Sequence, residues 1–276
     1  DDLDALVRDG IRRMALRDDE VERITRDPIP IFLLPQDGTA TALVERGFFD
    51  RYPMSDAARE KFASVPRNFG LHWPRPFQAV LEGPWLDVIG DRELARTGVL
   101  AHQLAETFIE RFKGGRRLPG WVVHGFVSWY EGATNYYSTL SLTSDNVDED
   151  GNPIDLWVSN WDSFPAWRDL LRQERQLQTV PPLRNLLIER RDGFDSKEVG
   201  VAWSLTRFLL ERHPTEYVNY LRVYDAPMGQ ATEDLRRLHE RAWEQAFANP
   251  VADIEDEWRL WALAQSQRFP TDELGR

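Results

Sequence analysis

The chain has 276 residues, 42% of them apolar, enough to bury one large core or two closely packed lobes and too many for a disordered protein. A formal charge of -12 argues against nucleic acid as the main partner, because phosphate binding needs clustered Lys and Arg, and runs such as Lys113-Gly-Gly-Arg116-Arg117 are too short to reverse it. The absence of cysteine excludes disulfides, zinc-cysteine sites and thiol catalysis.

No apolar run approaches the roughly 20 residues of a membrane span, so no transmembrane segment is expected. The start Asp1-Asp2-Leu3-Asp4 is neither a signal peptide nor an initiator methionine, which predicts a processed or trimmed front and is one of two grounds for favouring an extracytoplasmic (periplasmic or secreted) protein over a cytoplasmic one, the other being the family resemblance that residues 99–131 carry. Eleven tryptophans, many between Trp121 and Trp167, read as core aromatics.

In chain order, Asp4 to Ile24 has near-helical apolar spacing and predicts an amphipathic helix. The run Pro28 to Pro35, rich in Ile and Phe, predicts a strand, and 77–81 and 85–89 predict two more around Glu82-Gly83-Pro84. From Asp91, a candidate N-cap, a helix is expected to run to Phe112 and stop at Gly114-Gly115; it is apolar on both sides and should be central. Pro119 opens a second helix, Trp121 to Glu131.

Residues 136–161 alternate aromatic and polar side chains around an acidic tip, which predicts a hairpin. Helices are then expected at 164–178, 182–191, 196–212, 214–224, 229–247 and 251–266, punctuated by prolines and Gly193. The expected class is α+β: a small N-terminal mixed β-sheet packed on a central helix, then a mostly helical C-terminal lobe. The lobes, 1–162 and 163–276, are expected to form one compact unit.

The residues with chemical potential concentrate on the two middle helices. His102 and Glu106 are four apart, so both side chains share a helix face within reach of one ion, and His124 follows 18 residues after Glu106. Two imidazoles and a carboxylate are a possible zinc set with an open position. The same spacing also fits a plain intrahelical His–Glu pair without metal.

The span Val99-Leu-Ala-His102-Gln103-Leu-Ala-Glu106, followed by Leu118-Pro-Gly-Trp121-Val-Val-His124-Gly125-Phe-Val-Ser128-Trp-Tyr130-Glu131, resembles the gluzincin metallopeptidases, most of all small bacterial peptidase-MA-like domains. Their pattern is His-Glu-x-x-His, then Leu-Pro-x-Trp-Leu-x-Glu-Gly-Leu-Ala-Glu-Tyr. The resemblance extends more weakly to about residue 265.

It implies that His102, Glu106 and His124 stand at the three metal-ligand positions, with the usual His and Glu exchanged, and that Gln103 stands at the general-base position. Ser128 stands where the family has a carboxylate behind the ligands, and Glu131 is a second residue of that outer layer. An amide has no usable basicity, and general acid–base help is worth roughly 10²–10⁴ in rate, so hydrolysis should be crippled unless Glu106 or Glu131 takes over.

Asn146, Asp148 and Asp150 followed by Gly151 resemble the start of a calcium loop, but Trp157 stands where the closing glutamate belongs, and an acidic hairpin tip is favoured. His72 and His213 have no spacing partner and read as loop or capping residues. The functional expectation is a catalytically degenerate metallopeptidase-fold protein, an accessory or interaction subunit with a protein partner and no required cofactor. The alternatives are a zinc hydrolase using His102, Glu106 and His124, and a peptide or small-molecule binder using the old cleft.

Overall fold

The computed structural model describes residues 8, 12, 14–26, 31–34, 71–72, 78–81, 92–114, 116, 118–135, 182–187, 194, 196–225 and 232–266. Their helices are α1 Asp18–Thr25, α2 Arg92–Lys113, α3 Gly120–Asn135, α4 Leu183–Leu186, α5 Ser196–Arg212, α6 Pro214–Val223, α7 Thr232–Ala246 and α8 Val251–Ser266.

The described chain is mostly helical, which corrects the expected α+β class with its N-terminal sheet. The extended pieces β1 Ile31–Leu34, β2 Leu71–His72 and β3 Gln78–Leu81 are four, two and four residues long. β3 pairs parallel with β1 and antiparallel with β2. At about 3.3 Å per residue such pieces fall short of an ordinary strand and offer one or two side chains per face, too little for a sheet layer. Among the residues whose side chains are described, the core is built by helices and the chain beside them. The expected strand at 85–89, hairpin at 136–161, helix at 164–178 and lobe boundary at 162/163 lie outside the described residues.

Capping and breaking residues account for the helix ends. The N-terminal helix is not continuous, because Ala15 adopts φ 45° beside the buried Met14. α1 restarts after Arg17, whose backbone N–H donates to Glu20 at 2.9 Å, and Asp18, Asp19 and Glu20 place carboxylates at its positive end. α2 ends at Gly114, whose φ of 65° suits the reversal after a helix. Pro119 accepts the first backbone bonds of α3 from Val122 and Val123, and Pro214 is the first residue of α6.

α3 is packed between α2 and α5. Trp121, Val122, Phe126 and Val127 are all 1% exposed or less, so the helix is apolar nearly all round. Gly125 permits the α5 contact: a Cβ there would lie 2.3 Å from Thr206 Oγ1 and 2.4 Å from the Ala202 carbonyl oxygen. On the α2 side Phe108 stacks on Phe126 with ring centroids 5.6 Å apart.

Polar side chains tie the periphery together. Arg111 donates to the Ile24 carbonyl at 2.8 Å, and Arg23 donates to the Phe112 carbonyl at 2.8 Å, so α1 and α2 each satisfy the other's C-terminal end. The buried Lys113 ammonium donates to the carbonyls of Leu221 and Tyr224 at the end of α6. Arg222 grips the buried Glu20 through two bonds of 2.8 and 2.9 Å. No described helix is long and apolar enough to cross a membrane.

Candidate functional site

α2 and α3 form an antiparallel hairpin whose turn, around Gly114 and Pro119, sets the register. His102 and Glu106 lie on one face of α2, and His124, Ser128 and Glu131 share a face of α3 at helical spacing. At the open end of the hairpin His102 Nδ1 stands 2.6 Å from Glu131 Oε1, a hydrogen bond between the helices. The other ring nitrogen, Nε2, faces Glu106 Oε1 at 3.8 Å, beyond hydrogen-bond length.

The imidazole thus lies between two carboxylates that are almost withdrawn from water. The side chain of Glu131 is 0% exposed and that of Glu106 6%, whereas His102 keeps 25% of its surface. A carboxylate accepting from Nδ1–H fixes the tautomer and aims Nε2, the role such pairs play behind metal-bound histidines. Ser128 is buried on α3.

His124 is half-buried, its ring packed on Phe194 with centroids 4.9 Å apart. Among the described residues no three His, Asp or Glu side chains are grouped to hold a metal ion. A zinc centre with an open position takes three protein donors. Of the three candidate ligands, His102 and Glu106 face each other, and His124 packs on Phe194. The residues of the calcium-like sequence, Asn146, Asp148 and Asp150, lie outside the described residues, as does the side chain of Gln103.

The structure therefore joins His102, Glu106 and Glu131. Glu131, weighed from the sequence as a substitute base, is the direct partner of His102, and a carboxylate so bonded and fully buried is poorly placed to take a proton from a water molecule. His213 stands at the N-cap position of α6 and its Nε2 lies 3.1 Å from Glu257 Oε2.

Sequence reasoning did not single out His239, which is 4% exposed and whose Nδ1 lies 2.5 Å from the Tyr220 hydroxyl. Burial holds its imidazole far below the usual range, at about 3, so the ring is neutral near pH 7. The available signal was its spacing from Leu235, Ala242 and Trp243, which puts it on the buried face of α7.

No protein-family model, no curated protein and no solved structure matches the chain.

Proposed function

We propose that the chain is a catalytically degenerate protein on a gluzincin-like helix pair, acting as an accessory or interaction subunit, in which the residues at the former reaction centre clamp α2 to α3. The observation that carries this reading is the 2.6 Å bond from His102 to the fully buried Glu131. It engages both the one histidine of α2 and Glu131, one of the two carboxylates, with Glu106, that would have to replace the missing base. Gln103 supports the same conclusion, since an amide at the base position cannot accept a proton from water.

A second reading, a zinc hydrolase with exchanged ligands, draws on one observation: Glu131 aims His102 Nε2 toward Glu106, as an orienting carboxylate would behind a metal ligand. Metal analysis and a peptidase assay on the purified full chain, before and after zinc addition, separate the two. The accessory reading expects substoichiometric zinc and no peptide hydrolysis in either state. Stoichiometric zinc lost on His102→Ala and on His124→Ala, together with hydrolysis, would overturn it.

A further inference from the structure

A cleft of about 380 Å³ opens among α4, α7 and α8, on elements other than those that carry His102. Its lining includes Arg184 and Asn185 from α4, Arg236, His239 and Glu240 from α7, and Val251, the first residue of α8. Its volume suits a small organic molecule.

The charges in the cleft are unusual for this chain. The protein is acidic overall, at -12, and several of its arginines are held by carboxylates: Arg222 on Glu20, Arg207 on Glu211 and Arg259 on Glu255. Arg184 and Arg236, by contrast, form no ion pair with any described residue, although Glu240 lies one helical turn from Arg236. Two guanidinium groups at one concavity offer donor forks that match the oxygens of a phosphate or carboxylate.

His239 supplies a further donor. Its Nδ1 is engaged by Tyr220, and a phenol hydroxyl donating to that nitrogen leaves the single ring proton of a neutral imidazole on Nε2. No described protein atom bonds Nε2, and the residue lines the cleft. The ring is held rigidly, packed on Tyr224 with centroids 4.6 Å apart.

We propose that this cleft is a binding site for a small phosphomonoester, with Arg184 and Arg236 clasping the phosphoryl oxygens, His239 and Asn185 donating from the floor and wall, and Glu240 accepting from a hydroxyl of the organic part. The number of donors selects phosphate over carboxylate. Two guanidinium forks, an imidazole N–H and an amide exceed what the two oxygens of a carboxylate accept, whereas a phosphoryl group presents three oxygens. Glu240 disfavours a ligand with a second anionic group beside it.

The test is calorimetric titration of the full chain with inorganic phosphate, glycerol 3-phosphate and succinate at matched ionic strength. One saturable site for both phosphates is expected, with succinate weaker. Arg184→Gln and Arg236→Gln should each weaken phosphate binding by about tenfold or more. Arg207→Gln, whose arginine pairs with Glu211 on α5, should leave it unchanged. Because neither cleft arginine is buried, both variants should melt as the parent protein does without ligand. The proposal is overturned if neither phosphate saturates, if the double variant Arg184→Gln/Arg236→Gln binds like the parent, or if succinate binds more tightly than both phosphates. None of these outcomes bears on His102, so this site stands or falls apart from the accessory role.

Discussion

The bond between His102 and Glu131 can be measured by a double-mutant cycle built from His102→Ala, Glu131→Ala and the double variant. The acceptor oxygen is 2.6 Å from Nδ1 on a side chain that is 0% exposed, so solvent screens it little, while the imidazole keeps 25% of its surface and retains some competing hydration. Hydrogen bonds to charged groups contribute about 1.5–3 kcal/mol, and the exposed edge places this one near the lower end, about 1.5–2 kcal/mol of coupling. The cycle removes the separate costs of lost packing at each position, which for the buried Glu131 are of similar size. Urea unfolding followed by circular dichroism supplies the four stabilities. A coupling below about 0.5 kcal/mol would refute the clamp, since side chains in direct contact ordinarily exceed it.

Gly125→Ala should lower stability by about 2–3 kcal/mol in the same assay, because the Ala202 carbonyl, only 2.4 Å from the added Cβ, is backbone and cannot rotate away; unchanged stability would mean that α3 and α5 lie further apart. Acid should weaken the fold in two stages. His239, lowered by burial to about 3 from an ordinary 6.5, favours the folded state fully above pH 6.5, and that contribution is lost as pH falls toward 3, at up to about 1.4 kcal/mol per pH unit. Burial alone would push the Glu20 carboxyl up, but the hydrogen bonds from Arg222 and the Arg17 backbone, with both arginine charges, hold it at about 2; its contribution is present above pH 4.5 and lost between 4.5 and 2. Stability measured against pH in His239→Gln should therefore flatten between 6.5 and 4.5 and keep below 4.5 only the shallower limb that Glu20 supplies, and an unchanged upper slope would contradict the assignment.

What could be read from the sequence was what local chemistry decides. Gly114, Pro119, Pro214 and Pro250 act on their own few residues, and α2, α3, α5, α6, α7 and α8 begin and end within a few positions of the expected ones, whereas α4 is four residues where ten were expected. The helical break at Ala15 was not legible, because alanine carries no local preference for a positive φ. Apolar runs such as 77–81 looked like parts of a sheet, but whether strands grow into a layer depends on distant partners. The same division runs through the site. The His102–Glu106 pair follows from a four-residue spacing, whereas the choice of Glu131 as the tighter partner depends on a chain separation of 29 residues. The packing of His124 on Phe194 and the convergence of Arg184, Arg236 and Val251 span separate helices, and no periodicity encodes them.

The register of the α2–α3 hairpin joins these observations. Phe108 against Phe126 and His102 against Glu131 are successive rungs of one antiparallel pairing that begins at the Gly114–Pro119 turn. The turn closes one end covalently, the stacked rings fill the middle, and the His102–Glu131 bond closes the other end. Two nearly buried carboxylates beside one imidazole carry a desolvation cost that an apolar pair at the same positions would avoid. Packing alone therefore does not account for their presence, and a polar link gains over an apolar one in specificity: it holds a single register, because sliding either helix by one residue would leave Glu131 buried and apart from the ring that bonds it. A hairpin held in one register fixes which residues of α3 meet Ala202 and Thr206 on α5, so the His102–Glu131 clamp also bears on the close α3–α5 approach at Gly125.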